Sequence, residues 1–227
     1  MLCNNKNRKI RSFVRRQGRW TKAQKRAIDS CWDLYGIDVK NQKNIPDLFL
    51  KKQPSWLEIG FGDGENLYHM AKNNPHINFI GIEVYLSGIG ILLQKLKLDP
   101  LPNLKISRED AIEVLSYNFT DNSMDKIFLL FPDPWHKKKH NKRRFVNKKN
   151  IDVMYKKLKT AGDLHIATDW QDYAEHTLDT LNKDKRWQNK SSKFDYMQNP
   201  PHRIKTKFEK RGLKLGHKIY DMIFKKI

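Results

Sequence analysis

The chain has 227 residues, enough for one domain with extensions and for a core that needs no disulfide staples. Its 38% hydrophobic and 11% aromatic content excludes a disordered chain, and its two cysteines, Cys3 and Cys31, exclude a disulfide framework or a four-cysteine zinc site. Lys plus Arg number 45 against 25 Asp plus Glu, a net charge of +20 that points to a polyanionic partner, nucleic acid or an anionic membrane surface.

In chain order, residues 1–50 form a basic extension, with residues 23–35 expected to be helical. Residues 51–227 carry the main domain, within which 186–216 reads as an insertion rich in Lys, Ser, Asn and Pro. From Trp56 onward, short apolar runs alternate with helical patterns. Strands are expected at 56–60, 78–84, 104–107, 126–131 and 163–168, and helices at 63–73, 87–97, 110–115, 147–159 and 170–181. In the second helix Ile89, Leu92, Leu93 and Leu96 share a face. The near-continuous apolar run 126–131 suits a strand buried on both sides. This alternation predicts an α/β fold, a mostly parallel sheet with helices on both faces. Residues 218–225 alternate apolar and polar and read as a final antiparallel strand.

No apolar run approaches ~18 residues, so no membrane span is expected. The N-terminus lacks the apolar core of a secretory signal. It is acid-free, which leaves a transit peptide compatible with composition, but it reads better as part of a binding face in a cytoplasmic protein. The charge is concentrated in three places. Residues 1–26 hold ten Lys/Arg and no acid, residues 131–150 eight and one, and residues 191–227 ten and three. Residues 51–130 instead carry eight basic and ten acidic side chains, a net charge of −2. Solvated faces in a lysine-rich chain are the simpler account. Three cationic segments converging on one phosphate-binding surface are the functional one. Phe13, Trp20, Trp135, Phe145 and Phe208 interleave the basic runs, which suits nucleic acid; for Phe145, anchoring to the core is preferred.

The turn after the first strand reads Glu58-Ile59-Gly60-Phe61-Gly62-Asp63-Gly64. Its spacing is G-x-G-x-G, not the G-x-G-x-x-G that seats a pyrophosphate. Glu58 would repel a pyrophosphate and attract an ammonium group, which favours S-adenosylmethionine over a dinucleotide. Glu83 ends the second strand, about where an acid holds ribose hydroxyls in doubly wound folds. Asp110 follows the third strand, where it could accept from the adenine amino group or cap the next helix. The fourth strand runs into Phe131-Pro132-Asp133-Pro134-Trp135, a lone carboxylate held between prolines at a strand's carboxyl end. The basic run Lys137, Lys138, Lys139, His140, Asn141, Lys142, Arg143 and Arg144 comes directly after and could deliver a phosphate backbone to it. His136 and His140 lie among cations with no third ligand, so no metal is expected. Asp169 ends the fifth strand, with helix capping as its competing role.

These residues resemble the bacterial tRNA (guanine-N7-)-methyltransferases over almost the whole chain. The shared segments are R-S-F-V-R-R-Q-G-R (11–19), L-E-I-G-F-G-D-G (57–64), G-I-E-V (81–84), F-P-D-P-W (131–135) with K-H-N-K-R-R (139–144), A-T-D (167–169), T-K-F-E-K-R-G (206–212) and L-G-H (215–217). The resemblance implies a class I methyltransferase fold with a seven-stranded sheet. It implies that Glu58, Gly60, Gly62, Glu83, Asp110 and Asp133 bind S-adenosylmethionine, with Asp133 also the active-site acid. Lys137, Asp169, Thr206, Lys207, Phe208 and Glu209 would bind substrate, and Lys139, His140, Asn141, Lys142, Arg143 and Arg144 would face RNA. The implied target is a guanosine of the tRNA variable loop, position 46; for the protein itself a monomer or homodimer is expected. His136 and Ser87 depart from the family pattern, which has proline at both places. Three other readings compete: another class I methyltransferase, which should lack the basic loop; a nicotinamide-dependent oxidoreductase, which needs no such charge; and a non-catalytic RNA-binding protein, which leaves the strand-end acids unexplained.

Overall fold

In a computed structural model of the chain, the described residues are 12–13, 20–40, 44–191, 196–198 and 200–227. The motif at 11–19 therefore lies almost entirely outside them, as does Cys3, and the side chains of Lys207 and Phe208 are not described.

The first helix, α1 (Lys22–Tyr35), starts at Thr21, whose hydroxyl accepts from Gln24 N while Gln24 Oε1 accepts from Thr21 N. This reciprocal cap satisfies two otherwise orphaned donors. Residues 20–40 and 44–49, expected from sequence to belong to an extension, pack into the fold. Ala27, Ile28, Cys31 and Tyr35 are buried, and Gly36 bridges to Ile106.

Seven strands follow: β1 (Ser55–Ile59), β2 (Asn78–Ile82), β3 (Leu104–Ser107), β4 (Met124–Leu130), β5 (Leu158–Thr168), β6 (Trp187–Asn189) and β7 (Tyr220–Lys226). Between them run α2 (Glu65–Asn73), α3 (Leu86–Leu98), α4 (Ala111–Asn118), α5 (Lys148–Lys157), α6 (Gln171–Asn182) and α7 (Lys207–Lys214). The sheet order is β3-β2-β1-β4-β5-β7-β6. All pairings are parallel except those of β7, which lies antiparallel between β5 and β6. The expected final antiparallel strand is thus present, inserted beside β5.

β1 and β2 are buried throughout, in register Leu57 to Ile80 and Ile59 to Ile82, as expected of strands covered on both faces. Two apolar clusters form the core. One contains Ile59, Leu129, Ile151 and Tyr173, the other Phe79, Leu92, Leu96 and Phe128. Phe145 packs against the first, as the anchoring role predicts.

Two expectations change. The helix expected to reach Lys159 stops at Lys157, and the fifth strand starts at Leu158, which pairs with Met124 across a bulge containing Ala161 at φ 65°. The pairing to β4 outweighs the helical pattern there. The insertion 186–216 also holds two elements that the strand–helix pattern does not predict, β6 and α7. Thr206 caps α7 by accepting from Glu209 N, so T-K-F-E is itself a helix-start signal.

Candidate active site

The carboxyl ends of β1, β2 and β4 surround a cleft of about 710 Å³, where open α/β sheets place their ligands. One wall is the glycine turn. Gly60, Gly62 and Gly64 take φ of 73°, 60° and 77°, a left-handed backbone that side-chain-bearing residues rarely adopt. The turn is pressed from outside by α3, since a Cβ on Gly88 would lie 2.0 Å from Gly62 O. Gly88 carries no mark of this role in the sequence. Its signal is only the contact across the turn, visible once the chain is folded.

Glu83 forms the next part of the wall. Its Oε2 accepts from Gly62 N at 2.9 Å, and its Oε1 accepts from Val84 N at 2.7 Å and Tyr85 N at 2.9 Å. Burial pushes its pKa up, the three N–H donors pull it down, and the Asp133 carboxylate raises it, for a net upward shift. Glu83 therefore ties the ends of β1 and β2 together at the cleft floor. Asp110 also lines the cleft, but its carboxylate caps α4, accepting from Ile112 N at 2.9 Å and Glu113 N at 3.3 Å.

Glu58, expected to contact the cofactor, stands near the end of β1. It is buried and is not part of the cleft wall, and its Oε2 accepts from Asn66 Nδ2 at 3.0 Å. The strand alternation places it on the α2 side, beneath the turn it was expected to serve. Burial pushes its pKa up to about 8, against the Asn66 hydrogen bond, with Glu83 and Asp63 adding to the rise.

The opposite wall is the 131–137 loop. Asp133 is exposed at the cleft between Phe131 at φ 51° and Trp135 at φ 48°. Two non-glycine residues in the left-handed region two positions either side of one acid are strain held at a site. Trp135 organises the start of the basic run. Its Nε1 donates to Ser12 O at 3.2 Å, the Arg143 guanidinium lies 5.0 Å from its ring centre, and His140 meets it edge-on at 5.8 Å. Asn141, with its amide turned to satisfy both groups, donates to Lys137 O and Trp135 O at 3.2 and 2.9 Å. Partial desolvation and the cations of Lys139, Arg143, Lys137 and Lys142 push the His140 pKa down. Lys137 and His140 line the cleft, and Lys139 and Lys142 are exposed.

Arg144, expected to face RNA, is turned inward. It is 2% exposed, its Nε donates to Pro134 O at 3.1 Å, and its Nη2 pairs with Asp172. Its guanidinium braces the loop from inside and does not face RNA, because the chain turns inward to deliver Phe145 and Val146 to the core.

Among the expected substrate residues whose side chains are described, Lys137 alone lines the first cleft. Asp169 lies in a second depression of about 560 Å³, where it accepts from His217 Nδ1 at 3.2 Å. It does not cap α6, whose N-cap is Trp170. The two depressions adjoin through His136 and Trp170, whose rings are 4.0 Å apart. α7 packs on Asp169 through Gly212, where a Cβ would come within 3.1 Å of Asp169 Oδ2. Thr206 caps α7, and Glu209 is buried against Arg203. Among the described residues, no group of three His, Cys, Asp or Glu could hold a metal ion, and no helix is long and apolar enough to cross a membrane.

The sheet order, the glycine turn after β1 and the strand-end acids Glu83 and Asp110 on one cleft are the build of a class I methyltransferase. A 16S rRNA (adenine(1408)-N(1))-methyltransferase from Catenulisporales acidiphilia shares this fold, with a TM-score of 0.52 at 15% identity over 77% of this chain and 86% of that one. A protein family described as "Putative methyltransferase" matches residues 52–222. The chain is 46% identical over 220 residues to the tRNA (guanine-N(7)-)-methyltransferase of Serratia proteamaculans, spanning 96% of this chain and 92% of that protein. Against its counterpart from Shewanella amazonensis the identity is 43% over 221 residues, with 97% and 93% covered. The chain belongs to the tRNA (guanine-N(7)-)-methyltransferase family.

Proposed function

We propose that this protein transfers a methyl group from S-adenosylmethionine to guanine N7 in tRNA, at guanosine 46 of the variable loop in standard tRNA numbering, and does so in the cytoplasm. The observation that carries this reading is the placement of Asp133. It stands across one cleft from the glycine turn and Glu83, and the basic loop leaves the same wall.

The cleft suits the cofactor. Its volume is in the range of small-molecule sites. The turn exposes backbone at Gly60, where a Cβ would meet nothing within 4 Å. Glu83 offers a carboxylate to ribose, and Ile82, Val84 and Ile112 offer apolar wall to adenine, with Asp110 beside them. Glu58 lies buried beneath the turn, held by Asn66 of α2. When bound, S-adenosylmethionine supplies a methyl group on a sulfonium.

Guanine N7 has a lone pair and no proton, so no residue need act as general base. The chain's task is alignment and electrostatics. As methyl transfer moves positive charge onto the guanine ring, the Asp133 carboxylate stabilises it. Lys137, Asp169 and the 206–209 segment hold the nucleoside, and Lys139, His140, Lys142 and Arg143 meet the phosphate backbone.

The test is incubation with unmodified tRNA and S-adenosylmethionine labelled in its methyl group, followed by nucleoside analysis. Label in 7-methylguanosine, lost when guanosine 46 is substituted, is the expected result. Label in another nucleoside overturns the assignment of reaction and site.

A further inference from the structure

The Arg203 side chain is 3% exposed and takes no part in the proposed reaction. Its Nε donates to Asp221 Oδ1 at 2.7 Å and its Nη2 to Asp221 Oδ2 at 2.5 Å, a side-on pair with β7. Its Nη1 donates to Glu209 Oε2 and to Ile204 O at 3.3 Å. The guanidinium also lies 5.9 Å from the ring centre of Phe131, the strained residue that opens the Asp133 loop. One residue on, Ile204 N donates to Asn66 Oδ1 at 3.0 Å, and Asn66 Nδ2 donates to Glu58 at 3.0 Å. Asp221 Oδ1 is also met by His165 Nε2 at 2.8 Å.

A connected run of polar contacts therefore leads from Glu58, below the glycine turn, to Glu209 on α7, and it touches the catalytic loop on the way. Buried ion pairs contribute little net stability over apolar side chains of similar size, because desolvation offsets their attraction. What a guanidinium adds is geometry. Its planar fork fixes two carboxylates on separate elements at set angles, which an ammonium cannot do.

We infer that Arg203 is a positioning residue that couples the cofactor turn to the substrate-binding segment, so that occupancy of either side strengthens binding at the other. The inference rests on the proposed function for what the two sides bind. Coupling of this kind is reciprocal and typically about 5- to 150-fold.

The test uses the full chain, S-adenosylhomocysteine as a cofactor that cannot react, and unmodified tRNA. The affinity for S-adenosylhomocysteine is measured with and without tRNA, alongside single-turnover methylation. In the unaltered protein, tRNA should tighten S-adenosylhomocysteine binding at least about fivefold. Arg203→Lys, which keeps the charge and loses the fork, should bring that ratio to within about twofold of one. It should slow single-turnover methylation about ten- to a hundredfold at saturating tRNA and cofactor, as misplacement of reacting groups does. Asn66→Ala breaks the same run at its other end and should remove the coupling too, so the inference stays testable if Arg203→Lys does not fold. Full coupling in a folded variant overturns the inference. So does an unaltered protein that methylates tRNA without coupling, while the proposed function survives. A protein that binds neither ligand overturns both.

Discussion

Around β1, β2 and β3 the sheet buries Leu57, Ile59, Phe79, Ile80, Ile82, Leu104 and Ile106, with Glu58 the buried acid among them. Around β4, β5 and β7 it buries Lys126, His165, Asp221 and Lys226 as well as apolar residues. Each of these polar side chains has a partner from a distant part of the chain. Lys226 Nζ donates to Asn122 Oδ1 and to the carbonyls of Tyr155 and Leu158, and Lys126 faces Asp163 at 3.5 Å. The cofactor half buries one charged group on its strands, Glu58 against Asn66 of α2, and spans longer distances with neutral groups such as Asn103, whose Nδ2 donates to the carbonyls of Ala71 and Ile77. The half that carries the basic loop and α7 is assembled by long-range polar contacts, each costly to leave unpaired. A site that must meet a large polyanion is thus mounted on the part of the sheet that buries charged side chains in long-range pairs.

Four experiments probe this contrast between the two halves. Asp133→Ala should have the greatest consequence, lowering single-turnover methylation by about 10²- to 10³-fold, the usual cost of removing one electrostatic stabiliser. tRNA affinity, read by filter binding, should change by about twofold or less. Next comes Gly88→Ala. The new Cβ would meet the backbone oxygen of Gly62, so the turn must move. Destabilisation of about 1–3 kcal/mol is expected from such overpacking, with loss of S-adenosylmethionine affinity in calorimetry and little change in tRNA affinity.

The third concerns Glu58. Its carboxyl titrates near 8 in the folded protein and near 4.5 when unfolded. Between those values the native state keeps a proton the unfolded chain has lost, so this group makes stability fall as pH rises, by up to about 1.4 kcal/mol per pH unit. Glu58→Gln keeps the acceptor for Asn66 and should flatten that slope in urea melts from pH 5 to pH 8. The mildest effects separate neighbours in the basic loop. Lys142→Ala should lower the magnitude of the salt slope of tRNA binding by about 0.7–0.9 for each phosphate the side chain neutralises. Arg144→Ala should leave the slope unchanged and cost about 1–2 kcal/mol of stability, because its hydrogen bonds to Pro134 and Asp172 disappear.

Much of the cofactor half was legible in advance. Gly60, Gly62, Glu83 and Asp110 stand on one cleft because apolar runs mark the strands, and turn chemistry comes immediately after them in sequence. Glu58 was legible as an acid at the right strand end, but its direction was not: a one-residue alternation sends it to Asn66 on α2. In the basic loop the pattern of charge marked Lys139 and Arg144 as equals. Burial then made one a surface cation and the other an internal brace, since Arg144 meets Asp172, 28 residues away.

The strand–helix alternation, the glycine turn, the acid between two prolines and the cationic segments are each written in neighbouring residues, through periodicity and backbone preference. Other features arise only when the chain has folded. β7 lies between β5 and β6, Gly88 presses on Gly62, Asp169 and Asp133 open into adjoining depressions, and Arg203 joins Glu209 to Asp221. Those outcomes depend on which distant groups must share one buried volume and satisfy one another's hydrogen bonds, and no local pattern encodes that.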